Sequence, residues 1–117
     1  MKKQKDQVVY IKHIRDQIED IERFLRGWSE KRFIADVKTQ KAVARSLEII
    51  GEAVKNLTGK FRLKYPDVDW EGQAGLRDVI VHDYFNLDLP TIWEVVRNDL
   101  PLLKKQIKKI LEEEDGE

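Results

Sequence analysis

A chain of 117 residues, 38% charged and 41% hydrophobic, is long enough for one folded domain and too rich in apolar side chains to be a disordered segment. Its 22 basic and 22 acidic residues cancel, which counts against a storage-type or architectural nucleic-acid protein and leaves a local patch or a transiently held substrate for any RNA contact. With no cysteine, disulfides and thiolate metal sites are excluded, and no apolar run approaches the roughly 18 residues of a membrane span.

The opening Met1-Lys2-Lys3-Gln4-Lys5-Asp6 leads straight into an amphipathic pattern with no leader signal, so a cytoplasmic location is expected. Ile11, Ile14, Ile18, Ile21, Leu25 and Trp28 alternate spacings of three and four, which predicts a long first helix with Gly27 as its breaker. A second stripe, Val43, Leu47, Ile50, Val54 and Leu57, predicts a helix capped by Asp36 and ended by Gly59. Gly51 lies inside it, where glycine costs roughly 1 kcal/mol against alanine. A close approach of another helix would explain its presence.

Residues 58–70 are expected to be irregular. Asp69 is placed to cap a third helix from about Trp70 to Phe85, with Leu76, Val79, Ile80 and Val81 as core positions. Asn86 and Asp88 break it, and Asp88 can cap a fourth helix carrying Leu89, Ile92, Val96, Leu103, Ile107 and Ile110. Pro101 predicts a kink or break near Leu100, because proline removes a backbone donor and crowds the preceding turn. The acidic end Glu112-Glu113-Glu114-Asp115 is expected to fray. With no alternating strand pattern and no repeat, the expected fold is all-α, an antiparallel helical bundle forming a single domain over residues 1–117.

Residues 76–85, Leu-Arg-Asp-Val-Ile-Val-His-Asp-Tyr-Phe, combine a guanidinium, a carboxylate, an imidazole and a phenol around an apolar run. Asp78 and His82 are four apart on one helix face, so the carboxylate could fix the imidazole tautomer. Arg77 and Tyr84, seven apart, also share a face. Arg77 and His82, five apart, project about 140° from one another on an ideal helix. They meet on one phosphate only through a distorted turn, long side chains reaching round, or a second subunit. Metal-free RNA cleavage needs a base for the 2′-hydroxyl proton, an acid for the leaving oxygen and a cation for the phosphorane. Histidine suits the first two roles and arginine the third. With one histidine in the motif, a two-fold homodimer would supply the second.

Several other residues carry paired readings. His13 on the first helix reads as structural or as a cleft-rim residue before it reads as an acid. Glu48 and Glu52 share a helix face but lack the Glu-x-x-His partners of a carboxylate metal site. Trp28, Trp70 and Trp93 are expected to pack inside, with base stacking as the alternative. Lys60, Arg62 and Lys64 form a basic run expected to be a solvated loop, with RNA-backbone contact as the alternative. Lys104, Lys105, Lys108 and Lys109 are expected on the last helix's exposed face, near its C-terminal dipole.

The segment from Arg77 to Tyr84 resembles the Arg-x4-His-x-Tyr signature of HepT-like proteins in the HEPN superfamily. Leu47-Glu48-Ile49-Ile50-Gly51-Glu52-Ala53-Val54-Lys55, Tyr65-Pro66, Asp69-Trp70 and the run from Asp88 through Trp93 to Pro101 are similar to that family as well, so the resemblance covers essentially the whole chain. It implies a four-to-five-helix bundle, a homodimer, and a metal-independent ribonuclease toxin without a cofactor. Arg77 and His82 would be the catalytic pair. Asp78 would stand where many relatives carry asparagine, adding negative charge beside the scissile phosphate. Tyr84 would be the tyrosine to which an MntA-type minimal nucleotidyltransferase antitoxin transfers AMP. The alternative is a catalytically silent helical partner that positions substrate for, or regulates, a nucleotidyltransferase.

Overall fold

The computed structural model describes residues 4–116, with side chains from Gln7 onward. The reading of Met1–Lys3 as free of a leader lies outside the described residues.

Helix α1, Gln4–Leu25, buries Ile11, Ile14, Ile18, Ile21 and Leu25 almost completely, as their spacing requires. It ends where Gly27 adopts φ +79°, a conformation that favours glycine. A short helix α2, Glu30–Ala35, follows, capped by Ser29 and anchored by the buried ring of Phe33 against Trp93. Sequence periodicity misses α2 because six residues carry only one inward anchor.

Asp36 caps helix α3, Val37–Asn56, accepting from the Thr39 backbone N–H as expected. The stripe Val43, Leu47, Ile50 and Val54 is buried. Leu57, not Gly59, ends this helix, and Gly59 begins another. Thr58 accepts from the Phe61 N–H and starts helix α4, Gly59–Lys64, so the segment expected to be irregular contains a helical turn that buries Phe61. A side-chain cap and one aromatic anchor suffice for so short an element.

Asp69 caps helix α5, Trp70–Asp83, and a 3₁₀ turn, Tyr84–Asn86, continues it. Asp88 caps helix α6, Leu89–Glu94, with its carboxylate on Thr91. A π-helical turn, Val95–Asp99, then joins α6 to helix α7, Leu100–Asp115. The wide turn accommodates Pro101 near the start of α7, so the expected kink takes the form of a bulge. Helix α7 does not fray at its acidic end. Glu114 accepts from Lys64 Nζ at 2.5 Å and from the Tyr65 hydroxyl, which fastens the last turn to α4. The four lysines are consequently mid-helix and not at its terminus, and Lys104 pairs with Glu22 of α1 at 2.9 Å.

The architecture is all-α, with extents of 42 × 29 × 20 Å. Helix α1 packs along α3 and α7, and α3 packs in turn against α5. Helix α5 therefore lies at an edge of the bundle. This placement corrects the expected core: Ile80 is buried and Leu76 is partly buried against it, but Val79 is 54% and Val81 44% exposed. A helix covered mainly by one neighbour buries one stripe, whatever the hydrophobicity of its other faces. Among the described residues no helix is long and apolar enough to cross a membrane.

Candidate functional site

Helix α5 can lie close to α3 because Gly51 presents no side chain there. A Cβ at that position would overlap Cβ of Arg77 and stand 2.9 Å from the Gln73 carbonyl oxygen. The close approach expected at Gly51 is thus made by Arg77 itself. The guanidinium lies along α3, with its side chain 25% exposed. Nη1 donates to Asp78 Oδ1 at 3.1 Å, Nη2 stands 3.9 Å from Glu52 Oε1, and the enclosed Nε has no hydrogen-bond partner.

Asp78 does not pair with His82. Its Oδ1 accepts from Lys55 Nζ of α3 at 2.5 Å as well as from Arg77. The Lys55 ammonium brings a positive charge to the carboxylate, and α3 places it within reach. The Lys55 hydrogen bond, followed by the Arg77 one, holds the Asp78 carboxyl below its ordinary range. His82 is exposed and, among the described residues, makes no hydrogen bond or ion pair.

Helix α5 stays α-helical through Asp83, so the last turn contains no distortion that brings Arg77 and His82 together. Their side chains keep the roughly 140° separation of a regular helix. Arg77 faces α3, and His82 lies on the uncovered side with exposed Val79, Val81 and Phe85 near it in sequence. Tyr84 is half-buried and packs edge-on to Phe85, 5.8 Å between ring centroids. It lines a groove of 290 Å³ with Phe33, Val37, Lys41, Ala44 and Leu89. Arg77 is therefore packed against α3 beside Glu52, and Tyr84 lines a groove that Ala44 of α3 also lines.

The remaining sequence candidates are dispersed. His13 is exposed on α1, edge-on to Tyr10. Glu48 pairs with Arg45 at 3.0 Å, and Glu52 lies between Arg45 and Arg77. Trp70 and Trp93 are buried, whereas Trp28 is half-buried under the Arg32 guanidinium. The run Lys60, Arg62 and Lys64 does not form a basic patch. Arg62 turns inward to the Val54 carbonyl at 2.9 Å, and Lys64 is taken by Glu114. Sequence reasoning assigned no role to Lys55 or Glu52 around Arg77. Their only signal is the register between α3 and α5, which the sequence does not display.

Residues 14–110 match the family described as Ribonuclease HepT-like. A protein of Methanocaldococcus jannaschii named as a gamma-glutamylcyclotransferase and candidate RNase is 45% identical over 111 residues, which are 95% of this chain and 50% of that one. The chain thus spans half the length of that relative. A candidate RNase of the same organism is 44% identical over 113 residues, covering 97% of this chain and 93% of that one. A candidate ribonuclease HepT of Thermococcus cleftensis is 42% identical over 101 residues, covering 86% and 92%. No solved structure matches the chain significantly.

Proposed function

The chain belongs to the HepT-like ribonuclease family, and from that premise we propose that it is the metal-independent RNA endonuclease and toxin of a toxin–antitoxin pair in the cytoplasm. The observation that carries this reading is the division of labour along α5: a guanidinium wedged against α3 and, on the other side, an exposed imidazole that nothing described engages.

In this reading two copies meet across the uncovered side of α5, so that the two His82 imidazoles flank one phosphate and the long Arg77 side chain reaches round the helix to it. One imidazole takes the proton from the 2′-hydroxyl. The 2′-oxygen attacks the phosphorus, and the other imidazole protonates the departing 5′-oxygen. Arg77 supplies the hydrogen bonds and charge that stabilise the phosphorane. The products are a 2′,3′-cyclic phosphate and a 5′-hydroxyl. An MntA-type nucleotidyltransferase antitoxin would silence the site by transferring AMP to Tyr84, which lines a groove beside α3.

One observation favours the silent-partner alternative: Arg77 is flanked by two carboxylates, Glu52 and Asp78, that compete with any phosphate. Cleavage of RNA in excess chelator by wild type and His82→Ala, with Tyr84 first shown unmodified by mass spectrometry, separates the two readings. The nuclease reading expects chelator-resistant cleavage and a loss of roughly 10²–10⁴-fold in the variant. No cleavage by either protein favours the silent partner.

A further inference from the structure

Resting on the nuclease reading, we propose that Lys55 is a positioning residue of the Arg77 site: by engaging the Asp78 carboxylate from α3, it keeps the guanidinium available to a phosphate. Asp78 follows Arg77 in the chain and cannot move away from it. The same oxygen, Oδ1, accepts from both cations, at 2.5 Å from Lys55 and 3.1 Å from Arg77. A carboxylate beside a phosphate-binding guanidinium opposes the substrate in two ways. It repels the phosphate, and it offers the guanidinium a competing acceptor.

Lys55 counters both effects. Its charge offsets that of Asp78, and its shorter bond draws the shared oxygen toward α3. Glu52, the other carboxylate near Arg77, stands 3.9 Å away and lies 3.8 Å from Arg45, so its charge is partly met elsewhere. Gly51 sets the geometry. It allows the helices close enough for a side chain one turn further along α3 to reach Asp78. Lys55 and Asp78 are 41% and 44% exposed, so their exchange of partners on substrate arrival requires no opening of the core.

The test is a four-protein cycle of wild type, Lys55→Met, Asp78→Asn and the double variant. It is read by kcat and KM for RNA cleavage and by Kd for a 2′-O-methyl oligonucleotide, which binds but lacks the attacking hydroxyl, at one fixed salt concentration. One unit charge left unmet at about 4 Å in nearly aqueous surroundings corresponds to roughly a five- to tenfold effect. Lys55→Met should raise Kd and KM by that factor while kcat changes less, and Asp78→Asn alone should tighten binding. The double variant should return to within about twofold of Asp78→Asn, because the lysine acts through the carboxylate.

Unchanged binding by Lys55→Met overturns the proposal. So does a double variant weaker than Asp78→Asn by the full factor, since the lysine would then touch the substrate itself. If wild type binds the oligonucleotide but cleaves no RNA, the nuclease reading fails and the Kd cycle still decides the role of Lys55. If wild type does not bind it, both fail.

Discussion

Gly51 of α3 and Arg77 of α5 lie in close approach, with the arginine's Cβ where a side chain at position 51 would begin. The residue central to the proposed chemistry therefore depends on the absence of a methyl group on a different helix. The Gln73 carbonyl oxygen, 2.9 Å from that missing Cβ, is backbone and cannot rotate out of the way.

Gly51→Ala should consequently move α5 as a body. Alanine improves helix propensity by about 1 kcal/mol, but overpacking of this kind costs typically about 1–3 kcal/mol. A net loss of stability of up to about 2 kcal/mol is expected in urea melts. RNA cleavage under folding conditions should fall at least tenfold, because a shift of about 1 Å at a charged group is felt strongly in the rate. A variant with native stability and native activity would show that this contact does not position Arg77.

The exposed apolar residues of α5 and of the 3₁₀ turn after it provide a second test. Phe85 is 96% exposed, and Val79 and Val81 are 54% and 44% exposed. Exposed apolar side chains grouped around one short stretch mark an interaction surface. Replacing Val79 by Asp together with Phe85 by Ser should convert the proposed dimer to a monomer in light scattering, with cleavage reduced on the order of 10²-fold. A fully active monomer would exclude a site shared between copies.

Tyr84 is separable from catalysis. Its hydroxyl makes no hydrogen bond among the described residues, so Tyr84→Phe should retain cleavage within a fewfold of wild type. Incubated with the cognate nucleotidyltransferase and ATP, it should gain no AMP in mass spectrometry and remain active where wild type is silenced. An AMP gain on the phenylalanine variant would assign the modification to another residue.

The C-terminal anchor carries a pH signature. Burial, and then the hydrogen bond to Glu114, raise the Tyr65 hydroxyl well above the ordinary tyrosine value. The protonated form is thus favoured in the fold. Its contribution is full below pH about 10 and is lost as pH rises toward the higher folded value. Tyr65→Phe should lose about 1–2 kcal/mol at neutral pH, and its stability should decline less steeply than wild type between neutral and alkaline pH. Urea melts at pH 7 and pH 11 measure both. Parallel declines would mean that the Tyr65–Glu114 bond does not hold the last turn of α7.

Much of the fold was legible residue by residue. The isoleucine stripe of α1, the caps Asp36, Asp69 and Asp88, and the perturbation at Pro101 all follow from geometry within one element. Helical periodicity and capping depend on residues three or four apart, and those are visible in a line of text. The short helices α2 and α4 were not legible, because six residues with a single aromatic anchor leave no periodic pattern.

For the candidate site, the sequence alone determined which groups are present, Arg77, Asp78, His82 and Tyr84, and the angle between the first and third on a regular helix. Only the tertiary structure decided that Asp78 turns to Lys55 and not to His82, that Glu52 stands beside the guanidinium, and that Val79 and Val81 face outward. The reason is physical. Which residues share a face is set by the 3.6-residue turn of one helix. Which residues meet across two helices is set by how closely and in what register they pack, and here a glycine with no side chain of its own sets that distance.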